Sequence, residues 1–328
     1  MSRKVPGSGG AGRYRLIIVP LDGSRLSEQA LPLAVALAER ARAKLRLVLV
    51  HQLPTVPLSS EGRQLYVSLE LETRKAEKAY LKTFAEQLKK QSGVAVTSRT
   101  LSGPVAANLR EYIKESRTDL VVMTSRGQGG IRRLWLGSVA DAVIRESSVP
   151  VLLVRPEENP SPRPVLENIR QIMVPLDGSA LAEAILYPAK ELAAVTGAEL
   201  LLIQIIQTLA PAFEGPRPVP STFDEDLRNL RRMEASDYLR KVTERCRQFG
   251  GKAVYSVTLG GNVANEILER AESLNVGMIA IATHGRGGLK RLALGSVADK
   301  LIRAAPCPVL VYRPPQGTRA RDDRRKRR

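Results

Sequence analysis

Short runs of aliphatic residues alternate along the chain with longer stretches in which apolar positions recur every three or four residues. The runs LRLVLV, LVVM and VLLV are nearly continuous, which is typical of strands buried on both faces of a parallel sheet. In the first half, the pattern predicts strands over 14–20, 45–51, 94–101, 118–124 and 150–155, and helices over 27–42, 64–91, 104–117 and 137–147. Five strands joined by right-handed helical crossovers predict a doubly wound α/β domain.

The same order of elements occurs twice. YRLIIVPLDGSRLSEQAL at 14–31 matches RQIMVPLDGSALAEAIL at 170–186, and segments 127–141 and 285–299 are identical at 11 of 15 positions. The second copy predicts strands over 170–175, 199–206, 252–259, 277–283 and 308–313. We therefore expect two tandem doubly wound α/β domains, 14–156 and 169–314, each with a five-stranded parallel Rossmann-like sheet.

The segments between these domains and elements have a different composition. Residues 157–168 are rich in proline and charge and form the expected linker, while 1–13 and 315–328 are expected to be flexible basic ends. The proline-rich connection 207–223 is expected to be irregular, and the matching proline-bearing segment 52–63 is expected to be mobile.

Composition narrows the class of protein. The 51 basic and 33 acidic residues give a net charge of +18, which predicts non-specific attraction of the basic ends to nucleic acid. Aromatic residues are only 4% of the chain, so specific nucleic-acid binding is not expected. No apolar run is long enough for a membrane span, no signal peptide is evident, and Cys246 and Cys307 lie far apart. These features predict a cytoplasmic protein.

Chemistry-bearing residues collect where strands end. Asp22 and Asp177 follow the first strand of each copy in VPLDGS, and a glycine-rich loop follows the fourth strand. Ligands of doubly wound sheets bind at this edge, where glycine amides and a helix start favour anions and a carboxylate suits ribose hydroxyls. The serine after Gly137 or Gly295 either caps its helix or offers its hydroxyl and amide to phosphate. Neither a Walker-type P-loop nor a G-x-G-x-x-G after the first strand is present.

These residues together resemble the universal stress protein domain. The resemblance rests on VPLDGS, on G-x9-G-[ST] in GQGGIRRLWLGS (127–138) and GRGGLKRLALGS (285–296), and on SVAD and PVLLV. It covers both halves and implies an adenine nucleotide alpha hydrolase-like fold. It also implies binding of ATP, or of AMP or ADP, with Mg²⁺ as an optional companion of the phosphates.

The ATP-binding branch of that family, with the pattern G-x-x-G-x9-G-[ST], implies roles for particular positions. Phosphates would meet Gly127, Gly137, Ser138 and Val139 in the first copy, and Gly285, Gly295, Ser296 and Val297 in the second. Asp22 and Asp177 would meet the ribose or a metal-linked phosphate. The adenine would lie against Pro20 and Val50, or against Pro175 and Ile205, and Leu21 and Leu176 are also expected to contact the nucleotide.

Both copies depart from the family pattern at its first glycine. The position holds Thr124 in the first copy and Ala282 in the second. Threonine adds bulk and disfavours a positive φ, so binding is expected first in the second domain. Two residues further on stand Arg126 and His284, of which Arg126 either reaches a phosphate or is solvated.

No catalytic constellation is evident, so at most slow ATP hydrolysis is expected. The leading hypothesis is an adenine-nucleotide-responsive stress regulator, and the alternative is a stress scaffold that works through protein contacts without nucleotide. The resemblance further implies an internal pseudo-dimer that pairs the fifth strands of the two domains. Pairing of two whole chains into a homodimer is left open.

Overall fold

A computed structural model describes residues 14–52, 60–126, 136–157, 166–207, 221–248, 250–283 and 294–314. The first half contains, in chain order, β1 (Leu16–Leu21), α1 (Arg25–Glu28), α2 (Leu31–Ala41), β2 (Lys44–His51), α3 (Ser60–Ser92), β3 (Val96–Ser102), α4 (Val105–Glu115), β4 (Leu120–Thr124), α5 (Ser138–Glu146) and β5 (Val151–Val154). The second half contains β6 (Gln171–Pro175), α6 (Ala180–Glu183), α7 (Leu186–Thr196), β7 (Glu199–Gln207), α8 (Ser221–Gln248), β8 (Ala253–Gly260), α9 (Val263–Ser273), β9 (Met278–Ala282), α10 (Ser296–Ala304) and β10 (Val309–Tyr312).

The ten predicted strands are present, but the helix predicted over 27–42 is wrong, because α1 and α2 stand in its place. Pro32 lies in the first turn of α2, where it has no N–H to donate to the carbonyl of Glu28. The prediction of an irregular connection over 207–223 is also wrong in part, because Gln207 ends β7 and 221–223 belong to α8, whereas 208–220 lie outside the described residues. Of segment 52–63, residues 60–63 are helical and 53–59 lie outside the described residues.

The strands form one sheet of ten, in the order β3-β2-β1-β4-β5-β10-β9-β6-β7-β8. Within each half all neighbouring strands are parallel, so the predicted pair of doubly wound α/β domains is confirmed. The direction of winding reverses between β1 and β4 in the first half and between β6 and β9 in the second. These two reversals are the switch points at which such sheets bind ligands.

The two halves meet through their fifth strands, which confirms the expected pseudo-dimer pairing. β5 and β10 are antiparallel, and Leu152 lies opposite Leu310 at the centre of the pair. These two leucines occupy equivalent positions of the two copies, so the pairing has a local two-fold axis. Because the pair is antiparallel, the carboxyl edges of the two halves lie at opposite ends of the sheet.

Helices cover both faces of the sheet. On one face a cluster of buried residues from α2, α3, α7 and α8 packs against alternate strand residues, including Ile17, Leu47 and Val122. On the other face α4, α5, α9 and α10 pack against the remaining alternate residues, including Ile18, Val48 and Val121. We call these the first face and the second face. No helix within the described ranges is both long and apolar enough to cross a membrane.

Candidate functional site

At each switch point the first strand ends in a tight aspartate turn. Asp22 Oδ1 accepts hydrogen bonds from the amide of Ser24 at 3.0 Å and from its hydroxyl at 2.5 Å. Ser24 Oγ in turn accepts from the amide of Ser27 at 3.1 Å and caps α1. Gly23, between Asp22 and Ser24, has a φ of +79°, which glycine adopts without strain. The sequence DGS therefore holds the carboxylate of Asp22 at the exposed end of the strand.

The second half repeats this turn. Asp177 Oδ1 accepts from the amide of Ser179 at 2.9 Å, Ser179 Oγ accepts from the amide of Ala182 at 3.1 Å, and Gly178 has a φ of +83°. The carboxylate of Asp177 is half-buried, whereas that of Asp22 is exposed. Each switch point thus presents one aspartate from the same local structure.

The ends of each glycine-rich loop are joined to each other. The amide of Gly137 donates to the carbonyl of Ser125 at 2.8 Å, and the amide of Gly295 donates to the carbonyl of Thr283 at 2.9 Å. Ser125 and Thr283 also continue the pairing of their strands, since their amides donate to the carbonyls of Val154 and Tyr312. The start of α5 or α10 is therefore fixed beside the end of the fourth strand.

The two glycines, not the serines, are the N-caps of these helices. Gly137 has φ, ψ of −64°, 146° and Gly295 has −63°, 147°, and neither helix has a side-chain cap hydrogen bond. Ser138 and Ser296 are instead the first helical residues, with exposed side chains, so the alternative in which serine caps the helix is wrong. A helix start without a side-chain cap offers its first amides, with the positive end of its dipole, to an anion.

The residues expected to wall an adenine lie at the carboxyl end of the first strand and on the neighbouring second strand. Pro20 pairs with Val48 and Pro175 with Ile203, so Val50 and Ile205 extend the same face one step past the strand end. Val50, Ile205, Val139 and Val297 are half-buried and pack against the core of the second face. Leu21 and Leu176 are instead buried on the first face. The apolar wall and the helix start thus share the second face.

Thr124 and Ala282 do not narrow this wall. Each is the last residue of a strand, and neither is among the described residues with a positive φ, so the strain expected for Thr124 does not arise. Ala282 packs against the core of the first face, and Thr124 shares its strand position. The hydroxyl of Thr124 donates to the carbonyl of Arg126 at 2.6 Å, which fixes the beginning of the loop.

Arg126 is half-buried, and its guanidinium Nη2 lies 3.5 Å from the carbonyl oxygen of Pro156. The side chain is therefore not simply solvated, and the alternative in which Arg126 reaches a phosphate stays a prediction. Gly127, His284 and Gly285, which were also expected at the site, lie outside the described residues.

A tyrosine lies near a glutamate behind each aspartate turn, and the sequence analysis missed both. The hydroxyl of Tyr80 on α3 donates to Glu28 Oε1 at 2.6 Å, which joins α3 to the helix that follows Asp22. Burial, and next the bond to Glu28, raise the pKa of Tyr80, so the hydroxyl remains a donor. In the second half burial, and next the charge of Glu183, raise the pKa of Tyr238, but its buried hydroxyl has no hydrogen-bond partner among the described residues, and Glu183 accepts from Arg245 at 2.7 Å instead. The recurrence of tyrosine at equivalent positions was the available signal.

A buried histidine distinguishes the first half from the second. His51 Nδ1 lies 2.8 Å from Glu77 Oε2, and the buried Nε2 has no hydrogen-bond partner. The equivalent residues of the second half are Ile206 and Ala235, both buried and apolar. Within the described residues, no group of three or more His, Cys, Asp or Glu side chains could hold a metal ion.

Each switch point therefore combines three chemistries. Backbone amides at a helix start suit an anion, an aspartate suits hydroxyl groups, and an apolar wall suits a flat ring.

Comparison with known proteins gives consistent matches for both halves. The model of the universal stress protein family matches residues 13–155 and 168–313. A universal stress protein of Mycobacterium tuberculosis is 28% identical over 319 residues, covering 92% of this chain and 95% of the relative. One of Methanocaldococcus jannaschii is 32% identical over 147 residues, covering 44% of this chain and 85% of the relative. The crystal structure of a universal stress protein from Archaeoglobus fulgidus aligns with a TM-score of 0.63 at 20% identity, covering 92% of this chain and 97% of that one.

Proposed function

Because the chain belongs to the universal stress protein family, with one such domain in each half, we propose that it binds adenine nucleotides at its two switch points and acts as a nucleotide-responsive stress regulator. The observation that carries the proposal is the start of α5 and of α10. Each lacks a side-chain cap and is fixed by a backbone bond beside the end of the fourth strand. A phosphate supplies the acceptors that such a helix start needs.

Different residues of each site would bind the phosphates, the ribose and the adenine. In the second domain the amides of Ser296 and Val297 would hold phosphate, Asp177 would meet ribose hydroxyls or a phosphate-bound Mg²⁺, and Pro175 and Ile205 would contact adenine. In the first domain Ser138, Val139, Asp22, Pro20 and Val50 would do the same. We expect tighter binding in the second domain, because the bond from Thr124 restrains the beginning of the first domain's loop.

Regulation, not turnover, is the expected use of the nucleotide. The groups that we place at the phosphates are backbone amides and a serine hydroxyl, which bind charge but do not activate water. Occupancy would change the surface around each loop and thereby the partners that the protein meets.

The test begins with protein purified without added nucleotide. Mass spectrometry of the denatured protein should detect released ATP, ADP or AMP, and calorimetry of the stripped protein should give two ATP sites per chain. GTP is the matched control, since it carries the same phosphates on a different base. Absence of both co-purified nucleotide and calorimetric ATP binding would refute the proposal.

A scaffold function without nucleotide is the second candidate, favoured by the long helix of the second half. Leu227, Leu230 and Met233 on α8 are exposed, with Met233 at 68%. Large exposed apolar side chains at helical spacing are typical of protein contacts. This candidate predicts that partner capture from stressed cells survives removal of nucleotide and is lost on Leu230→Glu.

A further inference from the structure

The chain that leaves β5 contacts residues at the edge of the first candidate site. We call residues 155–157 the exit segment. Its three residues have three different partners: Arg155 contacts the second domain, Pro156 contacts Arg126 after β4, and Glu157 contacts the turn between α1 and α2. The exit segment also leads into the linker between the domains, so a change at the first domain can reach the second through it.

Gln29 binds the exit segment with both ends of its side-chain amide. Nε2 donates to the carbonyl of Glu157 at 2.8 Å, and Oε1 accepts from the amide of Glu157 at 2.8 Å. The side chain thus mimics a neighbouring strand and fixes the backbone of residue 157. The equivalent residue of the second domain is Ala184, which cannot form either bond.

Arg126, which directly follows Ser125 at the end of the fourth strand, contacts the exit segment. Its guanidinium contacts the neutral carbonyl of Pro156 at 3.5 Å, a long and weak contact. A phosphate is a stronger acceptor for guanidinium, because both partners are charged and the geometry can be bidentate. Nucleotide in the first site would therefore draw Arg126 away from Pro156.

Arg155 connects the exit segment to α10, the helix that begins at the second candidate site. Its guanidinium Nη1 lies 3.4 Å from the carbonyl of Ala305, the C-cap of α10. A cation at this end of a helix complements the helix dipole. The other end of α10 begins after Gly295, in the second candidate site, about 13 Å away at 1.5 Å per residue. One rigid helix thus joins the exit segment to the second site.

We propose that the exit segment couples the two nucleotide sites, with Gln29 as the positioning residue that holds it. The inference rests on the proposed function and adds regulation to it. Occupancy of the first site removes the contact of Arg126, the exit segment moves, and Arg155 changes its contact with α10. Because coupling between binding sites is reciprocal, occupancy of the second site affects the first by the same factor.

The test is ATP calorimetry on the full chain. The affinity of the first site is measured in the wild type, where the tighter second site is already filled, and in Gly295→Asp, where an added carboxylate blocks the second site. We expect these two affinities to differ by about fivefold or more. In the Gln29→Ala background the difference should vanish. Ala184→Gln, the reverse change at the equivalent turn, is the matched control and should leave the difference intact.

A second variant and a second readout separate coupling from damage to the fold. Arg155→Met breaks the contact with α10 without touching Gln29 and should abolish the difference as well. Hydrogen exchange of the Ala305 amide, which donates to the Leu301 carbonyl at 2.9 Å, should respond to ATP in Gly295→Asp, where only the first site binds. No ATP binding by the wild type overturns both proposals. One site only, or two independent sites, overturns the coupling and leaves nucleotide binding standing.

Discussion

Replacing Gly295 with aspartate should make the second domain more stable and its nucleotide site weaker. Gly295 is the N-cap of α10 at φ, ψ of −63°, 147°, a conformation that aspartate adopts without strain. Its carboxylate would accept from the amides of Val297 or Ala298, which have no side-chain cap in the wild type. The Val297 amide is one of the two that we assign to phosphate, so the carboxylate would compete with the ligand for it.

The two effects have different sizes. A side-chain cap in place of glycine adds a few tenths of a kcal/mol, and a negative charge at a helix start adds about 0.3–1 kcal/mol. Together they predict about 1 kcal/mol, or a rise of about 2–4 °C in melting temperature for a domain of this size. A carboxylate about 4 Å from a phosphate charge costs about 4 kcal/mol at an effective dielectric constant of 20. Screening reduces this value, so we expect ATP affinity at this site to fall about 100- to 1,000-fold.

Thermal unfolding and ATP calorimetry measure the two effects on the same preparation. The number of ATP sites per chain should fall from two to one in Gly295→Asp, and Gly137→Asp should remove the other site. Gly295→Asn is the control, because it caps the helix without charge and should weaken ATP binding less than aspartate. An unchanged ATP affinity in Gly295→Asp would show that the start of α10 does not hold phosphate.

Three further predictions concern stability and reactivity. Glu77→Ala should destabilise the protein by about 1–3 kcal/mol, because it leaves buried His51 without its partner, and adding His51→Ile should restore the loss, as read by thermal unfolding. Gly277→Ala should destabilise the second domain by about 1–3 kcal/mol or more, because a Cβ there would lie 2.4 Å from the backbone carbonyl oxygen of Asn168. Burial raises the pKa of Cys307 to about 12, so at pH 8 its alkylation in the folded protein should be about 1,000-fold slower than that of a thiol with an ordinary pKa.

Each of these has its own control and opposing result. Failure of His51→Ile to rescue Glu77→Ala would mean that the pair is not replaceable by the apolar residues of the second half. Gly261→Ala, with nothing within 4 Å of the new Cβ, should be nearly neutral beside Gly277→Ala. Because its folded pKa is raised, the stabilising effect of Cys307 is complete below pH 9 and declines as pH rises towards 12. A stability that increased over that range, relative to Cys307→Ala, would contradict the shift.

The sequence predicted the strands well, because residues buried on both faces of a parallel sheet form continuous aliphatic runs that few other structures explain. The sequence did not predict the break between α1 and α2. The first turn of a helix tolerates proline, so a proline near the beginning of a helical pattern does not by itself mark a break. The aspartates at the strand ends and the helix starts were predicted, because two copies of each short motif could be compared. These are local features, and their chemistry is set within a few residues.

The contacts missed by the sequence are those between distant residues. Gln29 meets Glu157 across 128 positions, and Tyr80 meets Glu28 across 52. No periodicity or spacing indicates such a pair. The sequence also left the N-cap undecided. In Gly-Ser before a helix either residue can be the N-cap, and only the backbone dihedrals identify Gly137 as the N-cap of α5.

The antiparallel pair of β5 and β10 also bears on how this molecule can evolve. In a dimer of two identical chains every substitution appears twice, so both sites change together. Here the strand pair that would join two chains of a dimer lies within one chain, so each half accumulates its own substitutions. The first half has Gln29 where the second has Ala184, and His51 where the second has Ile206. A symmetric dimer of identical chains could not carry such differences. A single chain thereby carries two unequal candidate sites at opposite ends of one sheet, and each can change while the shared sheet is kept.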